Sequence, residues 1–167
     1  MLDPVVYWPD ALFLGIGATA FLDLCGVLLQ RFFGFPPPDY RLVGRWILSV
    51  PAGRLRHADI SSSPPRRREG VVGWIGHYLI GVLLASGFIA LAGETWLRRP
   101  EPLRALAYGV VTVLLPYLVM QPLFGLGIAA SRSANPRRSR LRSLINHATF
   151  GVGLYLAGLL ALGLPWT

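Results

Sequence analysis

The sequence has no lysine: all 16 of its basic residues are arginine. That bias reads as GC-rich coding in a bacterium rather than as chemistry. It has one cysteine, Cys25, inside an apolar run, so no disulfide framework exists and the thiol reads as a small core filler. It is short of charge, at 14% of residues against about 25% in a soluble domain. It has no G-x-S-x-G elbow, no H-E-x-x-H pair and no phosphate-binding glycine loop, which leaves an enzyme as the weakest class. The first ten residues hold Asp3 and Asp10 and no basic residue. The positive n-region of a cleaved signal peptide is therefore missing, and the start reads as leading into a helix that stays in the membrane.

What is abundant is apolar sequence, 53% of the chain, in runs of about 20 residues, the length that crosses a bilayer core. The pattern predicts an all-α membrane protein, a single membrane domain over 1–167. Four transmembrane helices are expected at about 11–30, 71–92, 103–126 and 143–164. They form two tandem hairpins. Pro116 and Pro122 predict a kinked or partly unwound third helix. Basic loops are expected at 31–70 and 131–142. In the first, Leu42, Val43, Trp46, Ile47 and Val50 share one face of a short helix, with Arg41 and Arg45 on the other, as in an interfacial amphipathic helix.

The net charge of +8 does not require nucleic acid, because basic loops mark the cytoplasmic side of a membrane protein. The two basic loops hold thirteen of the arginines, and Arg98, Arg99 and Arg104 are the rest. The expected location is the bacterial inner membrane with both termini periplasmic. Trp8, Trp96 and Trp166 then fall at outer ends, and Trp46 and Trp74 at the inner face. Arg66, Arg67, Arg68, Arg137, Arg138, Arg140 and Arg142 are expected in loops facing lipid headgroups, attracting anionic lipids. His57 reads as a surface residue.

The chain carries a trace of duplication. At an offset of 70, His77 falls on His147, Gly81 on Gly151, Ile75 on Ile145, and Arg67 and Arg68 on Arg137 and Arg138. Such tandem repeats are related by an axis along the membrane normal. Gly15, Thr19, Gly73, Gly81 and Gly151 are small residues suited to close helix approach.

Five stretches carry a resemblance: G-I-G-A-T (15–19), L-V-G-R-W (42–46), G-W-I-G-H-Y (73–78), M-Q-P-L-F-G-L-G-I-A-A-S-R (120–132) and L-R-S-L-I-N-H-A-T-F-G-V-G-L-Y (141–155). In these the chain resembles the bacterial membrane family catalogued as domain of unknown function 2938. The resemblance implies a small four-helix inner-membrane protein and carries over no activity and no functional residue.

The candidate site is a polar layer. With about 1.5 Å of rise per residue, Asp23, His77, Gln121 and His147, with Asn146 beside the last, fall in the same half of the membrane. Ionisable side chains there are costly and mark a site by default. The plain alternative is that they hydrogen-bond one another and fix helix register. Three functional readings fit. The leading one is an accessory or assembly subunit of a larger membrane complex. Another is b-type haem bound through His77 and His147, with Gly73 and Gly81 leaving a flat gap for the ring. The third is small-solute or proton-coupled transport by a homodimer. No metal site is assigned.

Overall fold

The computed structural model describes residues 7–163, which form helices and loops without a strand. In chain order the helices are α1 (Trp8–Phe33), α2 (Tyr40–Ile47), α3 (Glu69–Ala92), α4 (Glu94–Arg98), α5 (Pro102–Thr112), α6 (Gln121–Leu123) and α7 (Pro136–Ala161). Four stretches are long and apolar enough to cross a membrane: α1, α3, Pro102–Leu123 and α7. The chain is an all-helical protein of the multi-pass membrane class.

Element ends follow from local chemistry. Pro9 in the first turn of α1 gives up no hydrogen bond there. At the far end Gly34 adopts φ +65°, and its N–H and that of Phe35 reach the carbonyls of Gln30 and Leu29. Pro36, Pro37 and Pro38 then prevent continuation. α2 is capped by Asp39, whose carboxylate accepts from the Arg41 N–H at 3.0 Å.

α7 starts seven residues before the expected 143. Asn135 caps it, its Oδ1 accepting from the Arg138 N–H at 3.1 Å, and Pro136 fits the first turn. Arg137, Arg138, Arg140 and Arg142, expected in a loop, therefore lie on the first two turns of a helix. The third span ends early, at Leu123. A π-helical turn over Pro116–Met120 interrupts it, because Pro116 lacks the N–H that a regular helix needs.

The fold divides into two compact units, the cuts falling after Pro37 and inside α3, the third span and α7. The first consists of Met1–Pro37, Tyr78–Val111 and Asn146–Thr167. Its core gathers Leu14, Ala18, Ala85, Phe88, Trp96 and Leu154. Trp96, expected at an outer end, lies just past the end of α3 and is 1% exposed. α4 folds it edge-on against Phe88 at 4.6 Å, and its Nε1–H donates to the Glu101 carbonyl at 3.1 Å. Of the other expected belt residues, Trp8 is exposed and Trp166 lies outside the described residues.

Helices in this unit meet backbone to backbone. A Cβ added at Gly15 would lie 2.5 Å from the Cα of Val82, and one at Gly81 2.0 Å from Oγ1 of Thr19. That hydroxyl is itself tied to the Gly15 carbonyl at 2.7 Å. Gly109 and Gly151 form a second such crossing, with a Cβ on Gly109 2.6 Å from the Gly151 Cα. In a bilayer, where lipid tails are as apolar as the protein, close van der Waals approach is what holds helices together.

The second unit consists of Pro38–His77 and Thr112–Ile145. Val43, Ile60 and Phe124 form its small core, with Leu42, Trp46, Ile47 and Met120 around them. Part of the basic loop expected at 31–70 is docked on the end of the third span. The His57 N–H donates to the Leu123 carbonyl at 2.8 Å, and the Ile60 N–H to that of Phe124 at 3.0 Å. Gly125 makes the turn that permits this, at φ +90°, and an added Cβ would lie 2.0 Å from the Ala58 carbonyl oxygen.

Candidate functional site

The second unit is where charge is concentrated. It contains twelve of the 16 arginines against three carboxylates, Asp39, Asp59 and Glu69, a net +9. The first unit has four arginines against five carboxylates, a net −1. Most of the basic side chains are exposed, but Arg45 is buried, 7% exposed.

Arg45 organises its surroundings. Its Nε and Nη2 bond the two oxygens of Glu69 at 2.9 Å each, a bidentate fork. Its Nη1 donates to the carbonyls of Ile60, Ser61 and Ser63 at 3.0, 3.2 and 2.7 Å. Glu69 Oε2 also accepts from the Arg66 N–H at 2.8 Å. One guanidinium thus ties α2, the loop at 60–63 and the first turn of α3 together. The hydrogen bonds that Arg45 donates to the Glu69 carboxylate push the pKa of its guanidinium above the ordinary arginine value.

Arg45 was expected on the polar face of α2, and the structure corrects that. Beside it, Gly44 presses against α3 so closely that an added Cβ would stand 1.8 Å from the Glu69 carbonyl oxygen. That contact turns the Arg45 side chain inward to the carboxylate. A signal for it was available: Glu69 is the only acid between Ile60 and Gly93, set directly after three arginines.

The polar positions named from sequence fall in both units. In the second, His77 is half-buried and stacks on Tyr40, with ring centroids 3.9 Å apart and planes 20° apart. Trp74 meets the pair edge-on, 4.8 Å from Tyr40 and 5.8 Å from His77. Sequence reasoning missed Tyr40 as the partner of His77. Gln121 is buried, 6% exposed; its Nε2 donates to Ser143 Oγ at 3.2 Å, while Oε1 has no hydrogen-bond partner among the described residues.

In the first unit, Asp23 is half-buried on α1 and hydrogen-bonded to the Tyr78 side chain. Asn146 and His147 are half-buried on α7, and the His147 carbonyl faces Gly109.

The glycines around His77 are occupied. A Cβ on Gly73 would lie 1.9 Å from the Tyr40 carbonyl oxygen, and the Gly81 surface is taken by Thr19. Gly151 likewise faces the Ala105 carbonyl at 2.7 Å. The flat surfaces that the sequence offered to a planar ring are thus covered by protein backbone and by Thr19. Among the described residues, no three His, Cys, Asp or Glu side chains converge as a metal site.

His57 is also misjudged from sequence. It is half-buried, and its Nδ1 lies 3.1 Å from Ser63 Oγ. It lines a cavity of about 360 Å³ together with Arg56, Arg132, Pro122, Gly125 and Gly127.

A family model described as "protein of unknown function (DUF2938)" matches residues 12–161. No curated protein and no solved structure matches the chain.

Proposed function

The chain belongs to this family, DUF2938, and we propose that it serves as an accessory or assembly subunit of a larger complex in the bacterial inner membrane. The observation that carries this reading is the Arg45 network. It makes the long connection between the first two spans a shaped surface instead of a tether. Folding that connection around a buried ion pair has an organising use when another protein must recognise it. Burying charge is otherwise costly and adds little net stability. By the charge rule, the arginine-rich unit faces the cytoplasm and both termini face the periplasm.

Photo-crosslinking tests this. A photoreactive residue at exposed Leu55 or Val50 of the folded connection should yield one discrete adduct, lost in Arg45→Ala. A smear, or adducts formed equally from Leu83, which is 70% exposed on α3, would contradict it.

Transport is the second reading, favoured by the interruption at Pro116–Met120 next to the buried Gln121 oxygen. Non-helical backbone at membrane depth is tolerated where protein or a water-filled cavity satisfies it. Proteoliposome flux that disappears in Asp23→Asn and Gln121→Leu would support it. Haem binding through His77 and His147 has the least support, because the glycine surfaces flanking His77 are already filled. A colourless purified protein, oxidised and reduced, would remove it.

A further inference from the structure

We propose that the cavity between residues 56–58 and 122–132 is a binding site for a phosphate monoester or inorganic phosphate. Two cations and a histidine meet there. Arg56 and Arg132 both line the cavity and are exposed. Neither guanidinium has an ion pair or hydrogen bond among the described residues. That is unlike Arg41, Arg45 and Arg98, each held by a carboxylate. The volume, about 360 Å³, lies at the small end of ligand pockets. It suits a compact anion or a headgroup.

The walls are built. The two backbone bonds from His57 and Ile60 to Leu123 and Phe124 fix one wall against the other. Gly125 and Gly127, at φ +90° and +73°, make the turns that bring Arg132 round to face Arg56. A cavity made by positive-φ glycines with free guanidiniums is suited to an anion, since Arg forks match phosphate geometry.

His57 braces the wall. Its Nδ1 lies 3.1 Å from Ser63 Oγ, which in turn donates to the Asp59 carbonyl at 3.1 Å. Nε2 is buried without a hydrogen-bond partner among the described residues. The cavity's cations are the two arginines, and a phosphate's oxygens can accept from both. The one carboxylate close in sequence, Asp59, is occupied by the N–H and Oγ of Ser61 at 2.9 and 2.7 Å. No carboxylate among the described residues lining the cavity opposes the two arginines, which suits phosphate, whether free in solution or as the phosphomonoester headgroup of a phosphatidic acid.

The test uses the full chain in phosphatidylcholine nanodiscs, titrated calorimetrically with inorganic phosphate. A parallel arm uses nanodiscs doped with phosphatidic acid, with the lipid retained on the protein read by native mass spectrometry. Saturable phosphate binding identifies a soluble ligand. Selective retention of phosphatidic acid identifies a lipid one. Either must weaken at least tenfold in the exposed pair R56Q/R132Q, with the helical circular dichroism unchanged. The equally discharged pair R137Q/R138Q, outside the cavity, must bind as wild type. No saturable binding in either arm, or equal losses in the two double variants, would overturn the proposal. The crosslinking test above is unaffected by either result.

Discussion

At the scale of single residues, two kinds of contact decide the structure. The first is the buried Arg45–Glu69 fork. Removing one member leaves the other charge buried and unpaired, which costs roughly 3–5 kcal/mol. Arg45→Ala should therefore lower the thermal midpoint sharply, while Arg45→Met combined with Glu69→Leu should recover part of the loss. Because the chain has no lysine, trypsin reads the effect directly: cleavage at Arg54 and Arg56 should accelerate in the single variant. The second is the glycine crossing of α1 and α3. Gly15→Val sets its Cβ 2.5 Å from backbone at Val82. Overpacking typically costs about 1–3 kcal/mol and occasionally more, and a clash with backbone instead of a yielding side chain belongs at or above the top of that range. Gly34→Ala, with nothing within 4 Å and only φ +65° to oppose it, should cost about 1–2 kcal/mol at most. Equal melting temperatures for these two would contradict the packing account. The small residues were legible in sequence because glycine spacing survives any tertiary context. Arg45 and His57 were misplaced because a partner distant in the chain draws each inward, at Glu69 and at Leu123. Amphipathic patterning sorts polar from apolar and cannot see such partners.

At the scale of elements, four apolar spans were legible because a bilayer demands about 20 apolar residues in a row. The ends were less so. α7 begins at Pro136 because Asn135 caps it, and an Asn-Pro step among arginines reads as a loop when only hydropathy is weighed. The broken third span was legible from its prolines, but where its chain goes after Leu123 was not. That path depends on the turn at Gly125 and on docking against residues 57–60. Gly125→Ala combines left-handed strain with a Cβ 2.0 Å from the Ala58 carbonyl. It should detach the two segments, speed trypsin cleavage at Arg56 and abolish the cavity. Gly53→Ala, at φ +71° with nothing within 4 Å, carries the strain alone and should leave cleavage at Arg56 unchanged.

At the scale of the whole molecule, the uneven charge of the two units, +9 against −1, is a physical basis for orientation, since arginines near span ends resist translocation. In a Cys25→Ser background, single cysteines at exposed Ser62 and Ala134 should resist a membrane-impermeant maleimide added to the periplasmic side, and one at Thr95 should label. The reverse pattern would invert the topology. The central claim is that a membrane protein with a folded, arginine-locked connection works as part of something larger. Its most direct test is native mass spectrometry of the chain extracted from its own membrane in mild detergent. The account predicts release of the chain together with a second polypeptide of fixed stoichiometry, with Arg45→Ala releasing the chain alone. A wild-type chain that leaves the membrane by itself, as monomer or homodimer, would contradict it.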